Sequence, residues 1–196
     1  MTIQIYGPEG AIAPDSAELA ATPMELSGLR LVVLDNGKPN AALVMERLAT
    51  YLGHRAGTEL AFVAKKGPGS RSANAAIPCA PDVFDRVVAA ADLVLTGTAD
   101  CGSCTAYSVY DAVQLERTGL PCVVVTTTMF EAVARTMARD FGMPNLRILV
   151  LPHPLGGTAP DRLDAWAQAA LDDLEALFSP VEGPRSIEDR AADGLR

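Results

Sequence analysis

The sequence is poor in the features that define several large protein classes. No apolar run reaches the roughly 18 residues that would suggest a membrane span. No basic segment precedes an apolar stretch at the N-terminus, so no signal peptide is visible and a cytoplasmic protein is expected. Positive charge is scarce: Lys and Arg number 16 against 24 Asp and Glu, a formal net charge of −8. A nucleic-acid binder, which draws its affinity from neutralising phosphates, is thereby disfavoured, as is an anionic membrane surface. No G-x-G-x-x-G follows any apolar run, and Gly67-Pro68-Gly69-Ser70 is not a Walker A loop, so no nucleotide cofactor is expected. Aromatic residues make up only 5% of the chain, and there are two histidines and four cysteines in 196 residues. Four cysteines in a chain this long, without a secretion signal, do not make a disulfide-stapled scaffold.

What is present is aliphatic: 49% of the residues are hydrophobic, cut into short blocks by Gly, Pro, Asn and Thr. The length suits one domain with a substantial core. Leu29 to Leu34 is a near-continuous apolar run, as expected of a parallel strand covered on both faces. Asn40 is placed to cap a following helix that carries Val44, Leu48, Tyr51 and Leu52 on one face and ends at Gly53. The unit then recurs. Leu60 to Ala64, Leu93 to Leu95, Cys122 to Val125 and Leu146 to Leu151 read as strands, each followed by a loop and a helix. Pro81 opens one of these helices, and Thr128 with Glu131 has capping-box spacing before another. Thr158 and Asp161 open a last helix with Leu163, Trp166, Ala170, Leu174 and Leu177 inward. Five strands alternating with five helices predict an α/β fold, a flavodoxin-like or Rossmann-like three-layer sandwich around a five-stranded, mostly parallel sheet. Residues 1–28 read as an N-terminal arm, 29–178 as the catalytic domain, and 179–196 as a flexible tail.

In such a sheet, ligands bind outside the carboxyl ends of the strands. The chemically distinctive residues all follow strands, which places them at one edge. Cys101-Gly102-Ser103-Cys104 stands where the third strand meets a helix, whose free N–H groups and dipole stabilise a thiolate. Cys101 can then act as nucleophile, with Cys104, three residues on, able to resolve an adduct. A C-x-x-C by itself leaves redox, metal-binding and structural roles open. His153, flanked by prolines in the fifth loop, is a rigidly held acid/base candidate. Lys38 and Arg71, from the first and second loops, are placed to hold an anionic group, with Asn36, Ser70, Ser103 and Thr127 completing the expected substrate-binding set. Glu131 is explained by its helix cap, and His54, at the opposite edge, receives no role. Cys122 reads as a core thiol, Cys79 falls in a loop and is unassigned, and no metal is assigned.

The run Asp100-Cys101-Gly102-Ser103-Cys104-Thr105, followed by Ser108-Val109-x-Asp111-Ala112-Val113-x-Leu115-Glu116, resembles the UGSC family. That family is named for a selenocysteine-Gly-Ser-Cys motif in which many members carry cysteine first. Leu34 to Ala41, Ser70-Arg71, Gly142-Met143-Pro144 and Pro152 to Gly157 fit the same pattern, so the resemblance spans about 29–177. It departs in the second loop, where Ser70-Arg71 is followed by Ser72-Ala73-Asn74 and a longer insert containing Cys79. The resemblance implies that Cys101 occupies the selenocysteine position, where a polarizable, low-pKa atom is wanted. The family is similar to the selenocysteine-bearing, substrate-specific subunit of glycine and betaine reductases, which implies an oxidoreductase.

These readings lead to a thiol enzyme acting on a small, anionic metabolite, with Cys101 attacking, Cys104 resolving, His153 transferring protons and an external thiol system as reductant. Three alternatives stay open: a lyase, hydrolase or transferase with Cys101 as nucleophile and no redox cycle; a metal-binding or regulatory subunit; and a non-catalytic partner. A homo- or hetero-oligomer fits each of them.

Overall fold

The computed structural model describes residues 17–67 and 75–180. Five strands, β1 (Arg30–Asp35), β2 (Glu59–Lys65), β3 (Leu93–Ala99), β4 (Cys122–Thr127) and β5 (Ile148–Leu151), form one sheet in the order β2-β1-β3-β4-β5. Every pairing is parallel, so the expected mostly parallel sheet is wholly so among the described residues. This is the flavodoxin-type strand order, with its reversal between β1 and β3. Six helices accompany the strands: α1 (Ala41–Ala56), α2 (Pro81–Ala90), α3 (Gly102–Arg117), α4 (Glu131–Asp140), α5 (Pro160–Ala169) and α6 (Leu171–Phe178).

The strand sequences explain the layering. Alternate side chains point to opposite faces. Leu31, Val33, Leu93, Leu95, Val123, Val125, Leu149 and Leu151 pack with α1, α5 and α6 on one side of the sheet. Val32, Leu34, Val94, Val124 and Ile148 pack with residues of α2, α3 and α4 on the other. β1, β3 and β4 are buried on both faces, which is why each carries an aliphatic block (Leu31–Leu34, Leu93–Leu95 and Val123–Val125). β2 is an edge strand, exposed over its first three residues.

Three helix boundaries differ from expectation. α1 runs past Gly53 and stops at Gly57, whose φ of 75° suits a left-handed C-cap. Gly53 is instead a close-approach position, since a Cβ there would lie 2.8 Å from the Thr58 carbonyl oxygen. Thr128 does not cap α4: residues 127–130 form a turn closed by Phe130 N–H to Thr127 O, and Glu131 becomes the first helical residue, pairing with Arg135 at 2.8 Å. The last expected helix is broken at Ala170 into α5 and α6.

Residues 17–28 of the N-terminal arm are stitched onto the domain. Glu116, buried on α3, accepts from the backbone N–H groups of Ala20 (2.7 Å) and Cys122 (2.8 Å). It also pairs with the buried Arg147, which donates to Ala20 O (2.7 Å) and Leu177 O (3.0 Å). Removing one partner of a buried ion pair leaves the other charge uncompensated. Arg147→Met should therefore lower unfolding stability by about 3–5 kcal/mol, read from urea denaturation. A change within 1 kcal/mol or so, the range of exposed pairs, would deny the cluster that role. The arm's remaining residues, 1–16, and the tail from 181 lie outside the described residues.

Candidate active site at the sheet switch point

Cys101 ends the loop after β3 and is the N-cap of α3. Its backbone is extended, and its sulfur accepts from the Cys104 backbone N–H at 3.4 Å. Small residues at 102 and 103 let the chain turn directly from strand to helix, and a Cβ at Gly102 would meet only open space. The Cys101 carbonyl accepts from Thr105 N–H (2.9 Å) and from its hydroxyl (2.6 Å), fixing the first turn. The resulting geometry brings the two sulfurs to 2.7 Å as free thiols.

The two thiols are unlike. Cys104 is fully buried; burial first, then its hydrogen bond to Cys101, pushes its pKa up to about 12. Its S–H is also near the Cys101 carbonyl (3.1 Å), and its sulfur accepts from Asp100 N–H at 3.2 Å. Cys101 is partly exposed, and its pKa is lowered. Burial is the largest single influence and opposes ionisation. It is outweighed by the Cys104 S–H and N–H, the Ser103 hydroxyl and the charge of Lys38 together. Ionisation is thus favoured at one sulfur and opposed at its neighbour.

His153 comes to the same edge from the loop after β5. Its Nδ1 lies 2.9 Å from Asp100 Oδ1 and 3.1 Å from Thr127 Oγ1, and its ring is tilted against Phe130 at 5.9 Å. Asn40 is the N-cap of α1, in a left-handed conformation, but its side chain makes no capping hydrogen bond. Its side-chain amide donates to Leu155 O (2.7 Å) and Thr158 O (3.0 Å), tying the first loop to the histidine loop.

The expected substrate-binding residues divide. Lys38 is half-buried and close enough to act on the Cys101 thiol, and Ser103 stands beside it with its hydroxyl 3.8 Å from the sulfur. Asn36 is fully buried. Its amide donates to Thr98 O (2.9 Å) and Ser108 Oγ (3.3 Å), and its Oδ1 accepts from Lys38 N–H. It shapes the floor of the site and is not presented to a ligand. Thr127, also buried, is spent on His153 and Asp100. Ser70 and Arg71 lie outside the described residues. Glu131 is a half-exposed ion-pair partner of Arg135, and His54 is exposed near the end of α1.

Reading the sequence missed Asp100 and the pair Lys66–Asp111. Asp100 borders the C-x-x-C, but its contact with His153 joins residues 53 positions apart, which no local pattern reveals. Lys66 and Asp111 are both buried and pair at 2.6 Å, with Asp111 also accepting from Cys79 N–H at 2.8 Å. They clamp the base of the second loop onto α3. Cys79 therefore has surroundings unlike those of Cys101: burial, then the Asp111 charge, raises its pKa to about 12. It borders a cavity of about 350 Å³ with Phe84, Tyr110 and Asp111. Asp111 is ten residues along α3 from Cys101, about 15 Å at the helical rise, so this cavity is not the dithiol site. Cys122 is buried in β4, which drives its thiol pKa well up. Among the described residues no group of three His, Cys, Asp or Glu is arranged to hold a metal ion. No helix there is long and apolar enough to cross a membrane.

The fold and this edge define an α/β protein of flavodoxin strand order, with an asymmetric dithiol at the β1/β3 switch point. A sequence model of the UGSC family matches residues 4–179, and the chain belongs to that family. A search of curated proteins finds no match.

Proposed function

We propose that the protein is a thiol-dependent oxidoreductase acting on a small, anionic molecule. The observation that carries this reading is the paired asymmetry of the dithiol: Cys101 partly exposed with its pKa lowered, Cys104 buried with its pKa raised, the sulfurs 2.7 Å apart. A low-pKa attacking thiolate backed by a protonated partner is what nucleophilic attack followed by resolution requires.

For a substrate R–X, the Cys101 thiolate forms a bond to R, and X departs with the bonding electrons. Cys104, on losing its proton, attacks the Cys101 sulfur. The R–S bond breaks, R takes that electron pair and a proton, and a Cys101–Cys104 disulfide remains. An external dithiol reduces the disulfide and is itself oxidised, closing the cycle. Because R leaves as an anion, it must be a sulfur or a carbon that stabilises negative charge. Lys38 and the N–H groups at the start of α3 favour an anionic substrate, and His153 supplies the proton transfers.

A redox titration in glutathione buffers, with disulfides mapped by mass spectrometry, tests this. Stabilising the Cys101 thiolate stabilises the reduced state and makes the couple more oxidising. The Cys101–Cys104 disulfide should therefore form reversibly at a potential between about −270 and −120 mV, the span of catalytic dithiols. A potential below about −300 mV, as for structural disulfides, or failure to form the pair, would exclude the redox cycle.

A further inference from the structure

We infer that Asp100 is a positioning residue that holds His153 in the Nδ1–H tautomer, leaving Nε2 as the nitrogen that exchanges protons at the dithiol. The inference rests on the proposed thiol chemistry for its purpose, though not for its geometry.

Two oxygens face Nδ1: Asp100 Oδ1 at 2.9 Å and Thr127 Oγ1 at 3.1 Å. The Thr127 hydroxyl has its own acceptor in Asp100 Oδ1, at 3.4 Å. With that hydrogen directed to the carboxylate, the threonine oxygen offers a lone pair to Nδ1, as the carboxylate does. A bare Nδ1 would set its lone pair against both, whereas a protonated Nδ1 donates to Thr127 Oγ1 and lies favourably beside the carboxylate. The tautomer therefore follows from the acceptor arrangement. Among the described residues no hydrogen bond is made to Nε2.

The position of Asp100 in the chain adds a second contact. Its side chain holds His153 while its backbone N–H donates to the Cys104 sulfur at 3.2 Å. One residue thus spans the histidine and the resolving thiol. Cys104 must shed its proton before it attacks, although burial holds its pKa at about 12. The Asp100 N–H bond favours that ionisation, and the role inferred for Nε2 is to accept the proton released. A histidine in the other tautomer would carry hydrogen on Nε2 and could not take it. The same logic makes a carboxylate behind a histidine a tautomer lock in other acid/base sites.

The test is nitrogen-15 NMR of the full chain, with the His153 signals assigned from His153→Asn. In the wild type above the imidazolium range, Nδ1 should show the shift of a protonated ring nitrogen and Nε2 that of a bare one. In Asp100→Ala, the Thr127 hydroxyl loses its carboxylate and is freed to donate to Nδ1, and the pattern should reverse. Asp100→Glu, which keeps a carboxylate, should retain or restore the wild-type pattern. In parallel, closure of the Cys101–Cys104 disulfide after oxidation by a small aromatic disulfide should slow by about 10²-fold or more in Asp100→Ala, within the range of general acid/base contributions. A wild-type Nε2–H tautomer, or a pattern that Asp100→Ala leaves unchanged, would overturn the inference while the thiol chemistry stood. The wild-type measurement alone decides the tautomer if the variant fails to fold. The expected tautomers with no slowing of closure would overturn the proton-exchange role assigned to Nε2. Absence of any Cys101–Cys104 disulfide would instead overturn the thiol reading itself.

Discussion

Limiting iodoacetamide at pH 7, followed by peptide mapping, should alkylate Cys101 before any other cysteine. Alkylation needs a thiolate, and the four thiols differ most in how easily they ionise. Cys101 is placed below the ordinary thiol value: burial, the largest influence, is overcome by the Cys104 S–H and N–H, the Ser103 hydroxyl and Lys38. Burial first of all raises Cys79 and Cys104 to about 12, and Cys122 well above its ordinary value. At pH 7 a thiol of pKa about 12 is ionised in only ~1 molecule in 10⁵. Its stronger intrinsic nucleophilicity recovers a little under half of that gap on a logarithmic scale. Cys101 should therefore react more than tenfold faster than Cys79, by the same rough arithmetic. The sign of the pH dependence follows from the lowered pKa. Labelling of Cys101 rises as pH climbs toward its pKa and levels off above it, whereas Cys79 is still gaining reactivity near pH 10. Lys38→Gln should move the Cys101 profile to higher pH, because it removes one of the influences that favour the thiolate. Preferential labelling of Cys79 would contradict the assignment of Cys101 as nucleophile.

The fold was legible because its signals are local. Aliphatic blocks mark β1, β3 and β4, and each strand is followed by a loop that turns into a helix. The C-x-x-C and its position after β3 were legible for the same reason, and the resemblance to the family fell on those segments. What was not legible depends on which atoms meet after folding. Asn36, Lys38 and Thr127 look equally suited to a ligand as sequence. Only the structure spends Asn36 on Thr98 and Ser108 and Thr127 on His153, leaving Lys38 half-exposed with its charge acting on the Cys101 thiol. Glu116 receives no structural role from the sequence, yet it anchors the N-terminal arm through Ala20 and Arg147. α3 is the general case. Asp111 and Glu116 are buried as fully as its valines, because α3 is covered by the sheet, by neighbouring helices and by the arm. Polar residues inside such a helix find partners far away in the chain, and amphipathic periodicity carries no record of them.

Replacing Cys104 should halve the chemistry of the dithiol and leave its first step intact. An aromatic disulfide such as 5,5′-dithiobis(2-nitrobenzoate) serves as an anionic electrophile that needs no knowledge of the natural substrate. In the wild type, the Cys101 thiolate attacks one sulfur, releases one coloured thiolate and forms a mixed disulfide. Cys104 then attacks the Cys101 sulfur, releases the second thiolate and closes the internal disulfide. The second step is intramolecular between sulfurs that start 2.7 Å apart, so release of both thiolates should appear nearly simultaneous. Cys104→Ser should release one thiolate from this site and retain the other half of the reagent as a stable adduct on Cys101, visible in the intact mass. Serine keeps a hydrogen-bond donor beside the Cys101 sulfur, so the first release should stay within a few-fold of the wild-type rate. Cys104→Ala lacks that donor, and its first release should be slower as well, since the Cys104 S–H heads the influences that lower the Cys101 pKa. The pair of variants thus separates the two duties of Cys104, donating to the nucleophile and resolving its adduct. If Cys104→Ser still released two thiolates per molecule, with Cys79 also replaced, the resolving step would not belong to Cys104. A non-redox nucleophilic role for Cys101 would then be the better account of the site.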